Sequence, residues 1–255
     1  MSRWEVMKVG AVSRVGTTLG AVIGLQRVHR WAPRLSPEWS EFAREARAIS
    51  ERHWAQTHET VAALKRKYEH AVLGRQRVWD LVEKLALCVD PSDGKLHCAS
   101  QLVHVQQVVA GMERGGVSDP DMFIAAITHD LGKVLLLTGE APENVVGMNA
   151  PIGRYPRGVG LDNVVFQWNH DEFIYSRLKD HLPDHVAWLL RYHSIEIPLT
   201  TPFMDARDRS YLERYLLPFR KYDQGTKSPC SLPPRTILDK YRDLVDGVFP
   251  GSILV

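Results

Sequence analysis

The sequence predicts an all-α protein with a single helical domain over residues 37–255. Apolar residues recur at three-to-four spacing along most of that stretch, and no segment alternates convincingly with a period of two. One segment, Asp121 to Glu140, is apolar on nearly every face of a helix, which places it inside a core. With 44% apolar residues the 255-residue chain has enough material for a large core.

Residues 1–36 read differently. Arg3, Lys8, Arg14, Arg27, Arg30 and Arg34 are offset only by Glu5, and the apolar run Val15 to Leu25 is too short to span a bilayer. The expectation is a basic N-terminal arm, flexible and soluble, with an organelle-targeting leader as the alternative. Pro37 to Tyr68 then follows a helical pattern through Trp39, Phe42, Ala46, Ile49, Trp54, Val61 and Leu64. A helix over Val78 to Cys88 leads to the turn Asp90-Pro-Ser-Asp-Gly94, and Ser100 to Met112 is helical again with His104 inside it. After the apolar segment comes a Gly- and Pro-rich loop, Ala141 to Asp162, of a length that often carries function. Helices are expected over Val164 to Arg177 with His170, from Pro183 to His193-Ser194, over Ser210 to Tyr222, and over Arg235 to Val245.

Charge and cysteine content narrow the classes. A net charge of +2, from 32 basic and 30 acidic residues, gives no reason to expect nucleic acid. Cys88, Cys98 and Cys230 lack Cys-x-x-Cys spacing, which argues against a disulfide framework or zinc knuckle and for a reducing compartment.

The chemistry concentrates in the apolar segment, where His129 and Asp130 are adjacent and Lys133 shares their helical face. Burying an imidazole and a carboxylate costs several kcal/mol unless something pairs with them, and a metal ion uses both. The competing reading is a His–Asp hydrogen bond, with Lys133 snorkelling to water. Of the 11 histidines, His29, His53, His58, His70 and His97 fall on polar or loop positions and read as surface. His181 and His185 are four apart, but Pro183 between them starts a helix, so they do not share a face. His104, His129, His170 and His193 each sit among apolar neighbours on a separate helix, the way bundle cores build metal sites. With Asp130 and the later Asp223 they make six donors, too many for one tetrahedral ion and suited to two bridged by Asp130. So many imidazoles favour a transition metal such as iron over magnesium or calcium.

An upstream His, then His-Asp, then a distant Asp resembles the HD-domain metalloproteins, and the ordered series resembles the myo-inositol oxygenase family. The matching segments are Thr57-His-Glu-Thr-Val61, Leu87-Cys-Val-Asp-Pro-Ser-Asp93, Thr128-His-Asp-Leu-Gly-Lys-Val134 and Glu140 with Val145-Val-Gly147. They continue through Gly160-Leu-Asp162, Trp168-Asn-His-Asp-Glu172, Arg191-Tyr-His-Ser194, Lys221-Tyr-Asp223, Thr226-Lys227 and Pro250-Gly-Ser-Ile253. The resemblance implies an HD-like helical bundle enclosing two iron ions, a mixed-valent Fe(II)/Fe(III) pair. They would be held by His104, His129, Asp130, His170, His193 and Asp223; the place of Asp223 rests on this resemblance. It further implies catalytic lysines at Lys133 and Lys227 and polyol contacts at Asp90, Ser92, Gly147 and Ser194. The implied reaction is four-electron oxidative C–C cleavage of a cyclic polyol by O2, with myo-inositol to D-glucuronate as leading candidate. The expectation is a cytoplasmic monomer without stable membrane insertion, with organelle targeting by the basic N-terminus as the alternative.

The chain also departs from the family. Met148 stands where an acidic substrate contact is usual, the loop from Gly153 to Gly160 is short, and Ile-Glu-Ile-Pro follows His193-Ser194 without the usual aromatic residues. The N-terminal arginine that touches substrate has only Arg34 as a candidate counterpart. A missing polar contact can change discrimination by large factors, so a different small hydroxylated substrate is one alternative. An HD-type phosphohydrolase is the other, since Lys133 and Lys227 could also meet phosphate.

Overall fold

The computed structural model describes residues 37–96 and 99–255. The basic arm 1–36, with Arg34 and His29, lies outside the described residues, as do His97 and Cys98. The chain falls into two units, Met1–Glu41 and Phe42–Val255, and the second holds the helical core.

The helices are α1 (Pro37–Trp54), α2 (His58–Lys67), α3 (Val78–Lys84), α4 (Gln101–Arg114), α5 (Pro120–Thr128), α6 (His170–Leu178) and α7 (Asp184–Tyr192). They continue as α8 (Ile197–Thr200), α9 (Ala206–Tyr211), α10 (Leu217–Asp223) and α11 (Arg242–Val248). The fold is all-α, as the periodicity predicts. Two strands of two residues, β1 (Arg75–Gln76) and β2 (Ile253–Leu254), pair antiparallel and fasten the chain end beside α3. None of the described helices is long and apolar enough to cross a membrane.

The core is built on α4 and α5, and α5 is buried along almost its whole length. Helix α5 packs on α7, α4 on α10, and α6 on both α7 and the segment after α5. Ser100 caps α4 by accepting from the Val103 amide, and Asp119 caps α5 through the Asp121 amide. Such caps contribute about 1 kcal/mol each and fix where the helices begin.

Several expected elements differ, the helices over Ser210 to Tyr222 and Arg235 to Val245 among them, which are broken by the π-helical turn Leu212–Leu216 and opened by the 3-10 helix Arg235–Tyr241. Pro37 to Tyr68 is two helices, because the Thr57 hydroxyl accepts from the Thr60 amide and starts α2 afresh. The Val164–Arg177 helix begins only at His170, where the Asn169 side chain caps it. The apolar helix over Asp121 to Glu140 is not continuous either. The α-helix stops at Thr128, and a 3-10 helix runs over Leu131–Thr138. A Cβ on Gly132 would lie 2.2 Å from the His170 carbonyl oxygen, so only glycine lets the segment press against the start of α6.

Candidate metal centre

Helix ends, more than helix faces, deliver the donors. His104 is the fourth residue of α4, His129 is the C-cap of α5, His170 the first residue of α6, His193 the C-cap of α7, and Asp223 the last residue of α10. Asp130 occupies the joint between α5 and the 3-10 helix. Leu212–Leu216, just before α10, is a π-helical turn, a feature often found at functional sites because it re-registers the helix after it.

All six groups are buried and converge. The Nε2 atoms of His104 and His129 are 3.3 Å apart, and those of His170 and His193 also 3.3 Å. Asp130 lies between the pairs. Its Oδ2 is 3.5 Å from His104 and 3.4 Å from His129, and its Oδ1 is 3.1 Å from His170 and 3.6 Å from His193. Asp223 Oδ1 is 3.0 Å from His104 Nε2 and 3.9 Å from His129 Nε2. Two triads, His104–His129–Asp130 and Asp130–His170–His193, each bring their donor atoms close enough to hold one metal ion.

The tautomers test the fit. Nδ1 of His129 lies 3.0 Å from the Ala126 carbonyl, Nδ1 of His170 is 2.6 Å from Val145, and Nδ1 of His193 is 2.9 Å from Leu190. A carbonyl only accepts, so each Nδ1 donates and each Nε2 is the ring atom turned inward toward the carboxylates. Lone pairs and carboxylate oxygens facing one another at these distances repel unless a cation or proton sits among them. Metal-ligating histidines are held by this kind of Nδ1–H bond. His104 is the exception, its Nδ1 buried and without a partner among the described residues.

Electrostatics show the same demand for positive charge. Burial alone would lower His170, but Asp171 and Asp130 outweigh it and push it up to about 9. Burial and the Lys227 ammonium lower His104 to about 4. Burial opposes ionisation of Asp130, yet Lys133 and His129 hold it well below the usual carboxylate range, and Lys227 and His104 do the same for Asp223.

A cavity of about 230 Å³ opens over the His170–His193 side, smaller than the roughly 300–1,000 Å³ of drug-sized ligand sites. Asp90, Ser92, Lys133, Gly147, Ser194 and Lys227 all line it, together with Asp130, His170, His193 and Asp223; His104 and His129 lie behind. Lys133 does not snorkel to water. It is buried, and its ammonium reaches Asp90 Oδ2 and Asp130 Oδ2 at 3.1 Å each and Gln101 Oε1 at 3.0 Å. Lys227 pairs with Asp93 Oδ2 at 2.7 Å. Asp90 Oδ1 accepts from both the Ser92 amide and hydroxyl. The Asn149 amide donates to the Ser194 carbonyl and the Glu196 amide to that of Asn149, so Gly147 and Met148 are held across from Ser194. Met148 lines the cavity, 3.9 Å from the Arg220 guanidinium.

Two histidine expectations meet the structure with different results. His53 is fully buried, contrary to its polar neighbourhood, with Nδ1 2.7 Å from the Glu143 carbonyl and Nε2 3.0 Å from Asn149 Oδ1. His181 and His185 turn to different partners, His181 against Phe249 and His185 against Tyr215 and Asp121. Gln101, Asp93 and Asp171 enter the site without having been singled out in the sequence. No spacing marks the first two, and Asp171 looks like an ordinary acid in a helix's first turn.

Comparison with known proteins adds identity to geometry. The family model described as "Myo-inositol oxygenase" matches residues 43–154 and 143–255. The chain belongs to the myo-inositol oxygenase family. "Probable inositol oxygenase" of Oryza sativa subsp. japonica is 27% identical over 241 residues, covering 79% of this chain and 77% of that protein. "Inositol oxygenase 2" of Arabidopsis thaliana is 29% identical, covering 79% and 75%. "Inositol oxygenase" of Homo sapiens is 28% identical over 244 residues, covering 77% and 82%. As a member of this family the chain is an oxygenase, metal-dependent like its relatives.

Proposed function

We propose that the chain is a non-haem di-iron oxygenase that cleaves a C–C bond of a cyclic polyol, with myo-inositol to D-glucuronate as the leading reaction. The observation that carries this is the pair of histidine-rich half-sites about Asp130, opening on a cavity of small-molecule size. The balance is C6H12O6 + O2 → C6H10O7 + H2O, a four-electron oxidation. His104, His129 and Asp223 would hold one iron and His170 and His193 the other, with Asp130 shared. When bound, the iron pair supplies Lewis acidity at a substrate hydroxyl and the electron exchange with dioxygen.

The chain's own groups do the rest. Burial works against the charge on Lys133, but Asp130 and Asp90 raise its pKa, so it stays an ammonium and acts as a fixed positive charge. Such a charge stabilises the alkoxide that develops when a bound hydroxyl loses its proton. Lys227, raised by Asp223 and Asp93 against burial, does the same from the other wall. Asp90, Ser92, Gly147 and Ser194 are assigned to the remaining hydroxyls, fixing which carbon faces the metals. We place the oxygenase domain at residues 37–255 and the basic leader outside it. We take the protein to act as a monomer in the cytoplasm; the free thiols Cys88 and Cys230 suit a reducing compartment.

The test is anaerobic iron loading, electron paramagnetic resonance, then oxygen uptake against a panel of polyols. A mixed-valent signal that shifts on adding a polyol, with oxygen consumed and a uronate formed, is the expected outcome. Hydrolysis of a phosphate ester without oxygen uptake would overturn the reading in favour of a phosphohydrolase.

A further inference from the structure

A second cavity lies away from the metal centre, walled by α3, α4, the 3-10 helix Arg235–Tyr241 and the start of α11. At about 360 Å³ it is larger than the cavity over the half-sites, and it falls within the roughly 300–1,000 Å³ of small-molecule sites. Its apolar walls are Val82, Ala86, Leu102 and Leu238. Leu102 and Gln106 are four apart and share one face of α4, whereas His104, two residues from each, points roughly the opposite way, toward Asp130 and Asp223. The two cavities therefore lie on opposite sides of one helix.

Two polar groups lining this second cavity have no protein partner. Gln106 is 3% exposed, and its side-chain amide makes no hydrogen bond among the described residues. Trp79 is 6% exposed, and its indole N–H is buried without an acceptor among the described residues. Buried polar groups are nearly always hydrogen-bonded, so two of them on one cavity call for a ligand. The indole N–H only donates, so the group that meets it is an acceptor. The Arg242 guanidinium lies over the Trp79 indole, 4.7 Å from a ring centre, and its contact with Asp239 is a long one, 3.6 Å. At the mouth Arg235 and Glu83 are exposed, and neither has an ion-pair partner among the described residues. Asp239 is already engaged, so donors outnumber acceptors around the cavity.

We propose that this cavity binds a small monocarboxylate with an apolar body. The carboxylate is taken by Trp79 Nε1, the Gln106 amide and the guanidinium edge, and the body lies against Val82, Ala86, Leu102 and Leu238. A planar carboxylate accepts two N–H bonds side by side, the arrangement that a guanidinium offers. The site is independent of the oxygenase reading: its ligand is neither substrate nor metal, and it packs on the back of the helix that delivers His104.

The test is isothermal titration calorimetry on the iron-loaded full chain under nitrogen, with hexanoate as the probe. Hexanamide has the same shape without the charge, and acetate has the charge without the apolar chain. Hexanoate should bind saturably, about tenfold more tightly than either. Gln106→Leu should weaken it by about tenfold, with circular dichroism reporting the fold. Arg235→Gln and Glu83→Gln are exposed substitutions that leave the fold intact, and they should act in opposite directions. The first should weaken hexanoate and the second strengthen it, each by roughly two- to fivefold. The metal-free chain should bind hexanoate as tightly as the loaded one. Absence of saturable binding, or equal affinity for hexanamide or acetate, would overturn the proposal. Wild-type affinity in Gln106→Leu, or no opposition between the two charge variants, would do the same. Binding that depends on iron would place the carboxylate on the metals and also overturn it. Should Gln106→Leu fail to fold, the charge variants decide.

Discussion

The floor of the cavity and its rim are built to different standards. On the floor, His170 and Lys133 are each held at least twice. His170 is fixed by the Val145 carbonyl and faces two carboxylates, and the Lys133 ammonium reaches three acceptors. At the rim, among the described residues, the Lys95 ammonium makes one bond, to the Gln224 carbonyl at 3.3 Å, and the Met148 thioether has only the Arg220 guanidinium, 3.9 Å away. Several contacts on one group fix its position, whereas single contacts leave the shape of the opening adjustable. The floor fixes which chemistry is available, and the rim sets which small molecule meets it.

The largest effect that could break this contrast comes from the floor. Asp130→Ala removes the oxygens shared by both half-sites and leaves Lys133 without one of its acceptors. Outer partners of metal ligands already cost roughly 10–100-fold, and a shared ligand should exceed that. We expect bound iron to fall below one ion per chain and oxygen uptake to drop beyond roughly 100-fold. Full iron and activity in the variant would show that the floor is not a metal site.

The rim should respond differently. Met148→Ala opens the cavity wall without touching any imidazole or carboxylate of the floor. Losing apolar wall contact of this size is worth about 1–3 kcal/mol in discrimination. Iron content should be unchanged, kcat should move little, and KM for the accepted polyol should rise by about tenfold. Steady-state kinetics beside iron analysis separate the cases. A fall in iron content would erase the distinction between floor and rim.

The same contrast explains what could be read from the sequence. The floor was legible because polar residues in an apolar run announce themselves: His129 and Asp130 have no other reason to sit among Ile127, Leu131 and Val134. Lys133 followed from its helical spacing, although the backbone there is 3-10 and begins after a break. That break was not legible, because the apolar pattern runs on to Leu137 and the cause, Gly132 against the His170 carbonyl, lies 38 positions away. His53 misled for a related reason. It sits between Arg52 and Trp54 in a polar stretch, and its burial depends on Glu143 and Asn149, about 90 residues on. Asp171 was hidden by ordinariness, since acids are common in a first turn. Only the geometry shows that it is buried against His170 and Ser194.

The smallest expected effect tests whether the scaffold is separable from both floor and rim. Glu140, just past the 3-10 helix, accepts from Lys67, Tyr68, Asn144 and the Ala141 amide. Burial alone would raise its pKa, but the hydrogen bonds from Asn144, Lys67 and Tyr68 outweigh it and lower the group from 4.5 to about 2. A folded-state value below the unfolded one means that the stabilisation is fully present above about pH 4.5. It is then lost as pH falls toward 2. Because Lys67 is largely in water, the contribution is discounted to about 1 kcal/mol. Glu140→Gln should therefore lower Tm by about 2–4 °C at pH 7. The gap to wild type should close to less than half by pH 3, followed by circular dichroism. Iron content and KM should not change, because none of the donors or cavity-lining side chains depends on Glu140. A gap that widened on acidification would mean that the carboxylate is not the group stabilised here, and a change in KM would tie this outer network to the rim.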